Sequence, residues 1–339
     1  MGKQKLNRRQ AWRIRKVQDE RLERAKRREG KIDTEAGPLG QEQHGRIVAN
    51  YGASVDVEDP TGEVRRCHLR QNLAMPVVGD RVVWQSSDNN SGVVVAVEER
   101  DTLLARPDFS GDMKALAANI DQILVVAAPE PPFSTESLDQ FLVAAEISGI
   151  TPVVVFNKVD LLDREGRAEV EAQLSIYRDI GYRVIFATTR ADHGLDDLLT
   201  ALKDKTSIFA GQSGVGKSSL AKSLLPDEAI TVGDLAELTG LGRHTTSSAR
   251  LYHLPSGGDV IDSPGVREFR LWPMSEPELA EGFPEFHPFL GGCRFRDCRH
   301  RSEPGCAILA AVEAGKIKPQ RLTSFRRIAA NVAEKAPSY

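Results

Sequence analysis

The order of two short motifs constrains this chain more than any other feature. Asn157-Lys158-Val159-Asp160 follows an apolar run and comes before Gly211-Gln212-Ser213-Gly214-Val215-Gly216-Lys217-Ser218, which matches the phosphate-loop pattern at every fixed position. A single sheet that brings both motifs to one nucleotide must therefore be entered at its base-reading half, in a circularly permuted order. The apolar pattern agrees. Residues 122–127 and 152–156 are nearly continuous apolar runs, as expected of parallel strands covered on both faces. Between them, residues 134–148 carry Leu138, Phe141, Leu142 and Ala145 at helical spacing, and 164–180 and 195–202 read as further helices. A strand at 207–210 runs into the glycine-rich loop, and another at 258–261 ends at Asp262. The rhythm predicts a doubly wound α/β domain.

Each motif carries a chemical reason. Gly211 and Gly216 let backbone N–H groups turn towards phosphates, Lys217 can reach the β and γ phosphates, and the Ser218 hydroxyl can ligate magnesium; Ser219 continues into a helix. The Asp160 carboxylate can accept from both N1–H and the exocyclic amine of guanine, whereas adenine offers an acceptor at N1 and would leave the carboxylate unpaired. Lys158 can lay its stem along the base, and Asn157 can tie this loop to the phosphate-binding segment. Downstream, Asp262-Ser263-Pro264-Gly265 has the form of a γ-phosphate sensor: Asp262 on magnesium, usually through water, and the Gly265 N–H on the γ phosphate. The polar stretch 240–248 offers Thr246 as a magnesium ligand, with Thr245 the alternative, and reads as a segment ordered by nucleotide. Val266 stands where many such enzymes place a water-orienting glutamine, so that side chain cannot do the task.

The flanks differ from this core. Residues 44–106 read as about five short strands separated by turn clusters at 59–62 and 88–92, which fits a small barrel of the OB type or an SH3-like one. After Trp272 the pattern becomes irregular, then ends in helical stretches near 306–314 and 319–334. Within it, Cys293, Cys298, His300 and Cys306 supply three thiolates and one imidazole, a closed tetrahedral set for one structural zinc, with Arg294, Arg296, Arg299 and Arg301 between them. Cys67 reads as a small buried hydrophobe.

The formal net charge of -3 hides an asymmetry. Residues 1–31 hold 13 Lys and Arg against four acids, leaving 32 basic and 44 acidic residues in the remainder. Such an arm repels itself when free and suits RNA phosphates; its acids and lack of serine argue against a transit peptide. No apolar run approaches the roughly 20 residues that cross a bilayer, and a cytoplasmic protein is the expectation.

These motifs, in this order, resemble the bacterial small-ribosomal-subunit biogenesis GTPases of the RsgA (YjeQ) type. The resemblance spans the barrel, 157–160, the Ala187-Thr188-Thr189 loop, the phosphate loop, Gly242-Arg243-His244-Thr245-Thr246, 262–265 and the Cys/His cluster. It implies an OB barrel, a circularly permuted P-loop GTPase core and a small α-helical zinc domain. It further implies base contacts from Thr188 and Thr189, and His244 as the residue that orients the attacking water. The implied ligands are GTP or GDP with magnesium, and the implied partner of this monomer is the 30S subunit with its 16S rRNA, joined late in assembly. The expected organisation is a basic arm over 1–40, the barrel over 41–108, the permuted core over 109–272 and the zinc domain over 273–339.

Overall fold

A computed structural model describes residues 39–70, 73–87, 91–107, 113–225, 249–262 and 271–334. The basic arm over 1–31, His244, Thr245, Thr246, Ser263, Gly265 and Val266 lie outside the described residues. The chain divides into two compact units, residues 1–121, 202–208 and 221–266 forming one, and 122–201, 209–220 and 267–339 the other.

The first unit holds the barrel. Strands β1 (Glu42–Asn50), β2 (Ser54–Glu58), β3 (Val64–Leu69), β4 (Arg81–Ser86) and β5 (Gly92–Val97) pair in the order β1-β2-β3-β5-β4. β4 returns to β1, so the sheet closes on itself, with β3–β5 its one parallel pair. This is the OB order, and it settles the choice left open against an SH3-like barrel. Alternation drives closure: Val55, Val57, Val82, Trp84, Val94 and Cys67 all point inward and are buried. Burial pushes the Cys67 thiol up to about 12, as befits a packed hydrophobe. At Gly45 of β1 a Cβ would come within 2.5 Å of Val57, so only glycine lets β1 cross the barrel there.

Two features of this unit are absent from the sequence expectations. β6 (Leu103–Pro107) and β7 (Met113–Ala118) form an antiparallel hairpin after the barrel, and β12 (Ala249–His253) pairs with the end of β1 through Ala49 and Asn50. β12 then turns back as β13 (Asp259–Asp262), which runs parallel to the first half of β11 (Thr206–Gly211). Buried Asp80 accepts both Arg100 Nε and Nη2, at 2.6 and 2.7 Å, tying the entry to β4 to the segment before β6.

In the second unit β8 (Gln122–Ala127), β9 (Thr151–Phe156) and β10 (Arg183–Phe186) are parallel neighbours. β10 is also new relative to the sequence reading. Helix α1 (Thr135–Ile147) is capped by the Ser134 side chain, and α2 (Arg164–Ile180) by Asp163 at its start and by Gly181, at φ 108°, at its end. α3 (Asp196–Leu202) leads towards β11, and α4 (Lys217–Leu224) opens at the phosphate loop.

The stretch after Trp272, expected to be irregular, begins with a short helix α5 (Glu276–Ala280) fixed by a capping box between Ser275 and Glu278. A 3-10 turn (Pro284–Phe289), α6 (Ala307–Glu313) and α7 (Pro319–Glu334) follow. Phe283, Phe286 and Phe325 pack with ring centroids 5.0–5.5 Å apart and share a core with Ile308, Ile328 and Val143 of α1. Helix α1 thus serves both the parallel strands and this terminal layer. Among the described residues no helix is long and apolar enough to cross a membrane.

Candidate nucleotide site and metal centre

The base-reading motif leaves β9 in a conformation that the sequence does not announce. Lys158 takes up a left-handed φ of 59°, and Val159–Leu161 form a 3-10 turn that presents Asp160. Asn157 is buried, and its Nδ2 donates to the Val215 carbonyl at 3.0 Å across 58 residues. Lys158 Nζ donates to the carbonyls of Gly214 at 2.7 Å and Glu130 at 2.8 Å. The base reader and the phosphate loop are therefore tied together, side chains of the first bonding to backbone of the second.

Asp160 is held from two sides. Thr188 Oγ1 donates to Asp160 Oδ1 at 2.5 Å, and Arg190 Nη1 stands 3.7 Å from Oδ2. Thr188 is itself buried, while Thr189 is exposed at the rim. Within the loop expected to touch the base, Thr188 is thus placed to orient the carboxylate and Thr189 is open to a ligand.

The phosphate loop shows why its glycines are needed. Gly211, Gly214 and Gly216 have φ of 138°, 85° and 94°. A Cβ on Gly211 would come within 2.3 Å of the Val126 carbonyl oxygen, and one on Gly216 within 2.4 Å of Asn157 Nδ2. Val215 is buried and anchors the loop, whereas Gln212, Ser213 and Gly214 are exposed. Lys217 Nζ folds back onto the carbonyls of Gly211 and Gln212 at 2.8 and 2.6 Å, and Ser218 and Ser219 stand in the first turn of α4. The N–H groups of a helix start, a lysine and a curled glycine loop form a phosphate cradle. In the first unit, Asp262 is the last residue of β13.

Three contributors escaped the sequence reading. Glu130 contributes only a carbonyl, and Pro131 lies 3.4 Å from the Cβ position of Gly214, so neither has a motif to mark it. Arg190 follows the Thr188-Thr189 pair, and its neighbourhood to Asp160 depends on the fold.

The second centre brings Cys293, Cys298, His300 and Cys306 together, with donor atoms within 4.8 Å of one another. His300 Nδ1 lies 3.6, 3.6 and 3.3 Å from the sulfurs of Cys293, Cys298 and Cys306, and Cys293 Sγ lies 3.9 Å from Cys306 Sγ. Zinc bonds of about 2.3 Å to sulfur and about 2.0 Å to nitrogen, arranged as a tetrahedron, separate donors by about 3.5–3.8 Å. The donor set fits the metal in number, kind and spacing. Burial, and then the neighbouring thiols, push the Cys298 thiol up to about 12, a penalty that a bound cation would reverse. The loop is braced from outside: the Glu303 carboxylate accepts the N–H groups of Arg299, Arg301 and Ser302 at 2.7–3.0 Å, and Arg326 donates to the His300 carbonyl. Arg294, Phe295, Arg296, Arg299 and Arg301 are left exposed on its surface.

A base reader fused to a phosphate loop in permuted order, with a closed barrel before it and a Cys3His centre after it, defines a circularly permuted GTPase. The model of the RsgA GTPase family matches residues 97–272. The chain belongs to the RsgA family. The small ribosomal subunit biogenesis GTPase RsgA of Pseudomonas aeruginosa is 48% identical over 336 residues, 98% of this chain and 99% of that protein. That of Hahella chejuensis is 49% identical over 340 residues, covering 98% of each. Among solved structures, YloQ, a circularly permuted GTPase, matches with a TM-score of 0.70 and 31% identity over 91% of this chain and 100% of that one. YjeQ from Thermotoga maritima gives 0.72 and 34% over 86% and 99%.

Proposed function

We propose that this chain hydrolyses GTP as a late-stage assembly factor of the small ribosomal subunit, in the cytoplasm and as a monomer, with the subunit accelerating hydrolysis. The observation that carries the nucleotide reading is the double tie of Asn157 and Lys158 to the backbone of Val215 and Gly214, which lets one ligand be read at base and phosphates together. The names of the relatives support the subunit as partner. In this reading Asp160 accepts from guanine N1–H and the exocyclic amine, the Lys158 stem lies along the base, and Thr188 keeps the carboxylate in register while Thr189 lines the rim. The N–H groups from Gly211 through Ser219 hold the phosphates, and Lys217 moves from its carbonyl partners to the β and γ phosphates.

Magnesium, when bound, supplies charge neutralisation between the β and γ phosphates. Ser218, Asp262 and Thr246, or Thr245, would hold it, and the Gly265 N–H would meet the γ phosphate. His244 is assigned to align the attacking water, since Val266 cannot. Zinc at Cys293, Cys298, His300 and Cys306 is structural, because four protein donors leave no open position. It would fix the exposed arginines as a phosphate-binding surface for 16S rRNA, and the barrel and the basic arm would supply further RNA contacts. The domain boundaries that accompany this reading are 1–40, 41–108, 109–272 and 273–339.

The test is GTP turnover by the full chain with and without purified small subunits. A large acceleration is expected, because the subunit would order the segment carrying His244; equal rates would sink the proposal. His244→Ala is expected to abolish the stimulated rate while leaving GDP binding intact. Undiminished stimulated turnover in that variant would favour an RNA-binding scaffold in which nucleotide only switches affinity.

A further inference from the structure

His253 ends β12 between two carboxylates. Its Nδ1 lies 2.6 Å from Asp259 Oδ1, and its Nε2 lies 2.9 Å from both oxygens of Glu58. Ionised carboxylates only accept hydrogen bonds, so both ring nitrogens must donate, and only the imidazolium carries two N–H groups. The other oxygen of Asp259 takes Arg46 Nη1 at 2.5 Å, and Arg46 Nη2 donates to Thr206 Oγ1 at 2.8 Å. Two cations and two anions balance when the ring is charged. A neutral ring leaves one carboxylate facing a nitrogen with no proton.

The cluster joins separate parts of the first unit. Arg46 and Glu58 come from barrel strands β1 and β2, His253 and Asp259 from β12 and β13, and Thr206 opens β11. Asp259 begins the four-residue strand whose last residue is Asp262, so whatever anchors Asp259 sets where that carboxylate stands. We propose that Arg46, Glu58, His253 and Asp259 form a clasp that positions Asp262 for hydrolysis, holding β13 to the barrel and loosening when His253 loses its proton. The proposal rests on the reading of Asp262 as a magnesium-shell residue. A metal at the clasp itself is disfavoured, because the Arg46 guanidinium already occupies an Asp259 oxygen.

The electrostatics point the same way. Burial works against the charged ring, but the hydrogen bonds and charges of Asp259 and Glu58 outweigh it and raise the His253 pKa above its ordinary value. Among the described residues, the charged groups around the ring are Asp259 from β13 and Glu58 from β2, with Arg46 from β1 behind Asp259. For a histidine raised on folding, the contribution is complete below the unfolded pKa, roughly 6.5, and is lost as pH rises through the higher folded value.

The experiment uses the full chain, wild type beside His253→Gln, with two readouts between pH 6 and 9. The first is hydrogen exchange at the Val260 and Ile261 amides, corrected for the intrinsic pH dependence; the second is the magnesium concentration giving half-maximal GTP hydrolysis. The wild type is expected to lose protection and to need more magnesium as pH rises, each by about fivefold, the scale of a partly exposed ion pair. His253→Gln is expected at the high-pH level throughout, and Arg46→Lys between wild type and Arg46→Ala. Asp262→Asn separates the two readings. If it leaves the magnesium requirement unchanged, the Asp262 assignment fails; if it raises the requirement while His253→Gln keeps both wild-type pH steps, the clasp fails.

Discussion

Arg321 of the last helix pairs with Asp139 of α1 across 182 residues, and the side chain of each is only 2% exposed. The same guanidinium takes Glu285 at 2.6 Å and stacks 4.6 Å from the Phe283 ring, while Tyr177 donates to Asp139 at 2.8 Å. The terminal layer is thus bonded into the base-reading half by a charge cluster with little access to water.

Removing one partner from such a cluster leaves the others charged in a dry site. Arg321→Ala is expected to lower stability by about 3–5 kcal/mol in urea denaturation followed by circular dichroism. Replacing Arg321, Asp139 and Glu285 together with Met, Leu and Leu should recover most of that loss, because no unpaired charge remains. A loss below about 1 kcal/mol for the single variant would mean that water reaches the cluster.

The Cys3His centre lies in the same unit as the phosphate loop but shares no ligand with it, which separates two consequences of metal removal. Metal analysis should find one zinc per chain, and chelation should expose three titratable thiols while Cys67 stays protected inside the barrel. GDP affinity should change by less than about threefold, because the N–H cradle is built without the metal. Loss of nucleotide binding in step with zinc loss would make the centre part of the nucleotide site.

Gly216 carries both constraints that a phosphate-loop glycine can carry, a left-handed φ of 94° and a neighbour 2.4 Å from its Cβ position. The neighbour is Asn157 Nδ2, the donor that joins the base reader to Val215, so Gly216→Ala should disturb both halves of the site. The expected outcome in a fluorescent GDP titration is a loss of affinity of tenfold or more, from about 1–3 kcal/mol of backbone strain alone. Gly62, whose Cβ would meet nothing within 4 Å, is the matched control: its φ of 87° carries similar strain in a barrel turn that contains no nucleotide motif, so Gly62→Ala should leave the affinity unchanged.

Local pattern made some of this legible and left the rest hidden for identifiable reasons. The apolar runs at β8 and β9, the strand before the phosphate loop and the spacing of the metal ligands follow from period and chemistry, and the structure places them where the sequence does. β7, Met113-Lys114-Ala115-Leu116-Ala117-Ala118, lacks β-branched and aromatic residues, and β10 has only four residues, so neither stands out by composition. The α5 cap was readable as Ser275-x-x-Glu278 but flanks too short an apolar segment to signal a helix. The Arg321 and His253 clusters could not be read at all: their members are ordinary polar residues one by one, joined only when strands and helices far apart in sequence meet.

Asp160 offers the sharpest test of base recognition, because its two oxygens have different surroundings. Oδ1 is held by Thr188, and Oδ2 faces Arg190, so the carboxylate is fixed in orientation, with both oxygens available to two donors on one base edge. Asp160→Asn replaces one acceptor with a donor. Against guanine that donor meets the exocyclic amine, and GDP affinity should fall by about 100-fold or more, the scale on which a polar site rejects a mismatched ligand. Xanthosine diphosphate carries a carbonyl where guanine has the amine, so the same variant should bind it more tightly than the wild type does. Thr188→Ala should weaken GDP by a smaller factor, about three- to tenfold, since it removes only the hydroxyl that orients Asp160. Competition titrations of the three proteins with both nucleotides measure all of this. Equal GDP affinity in wild type and Asp160→Asn would move base recognition to another residue.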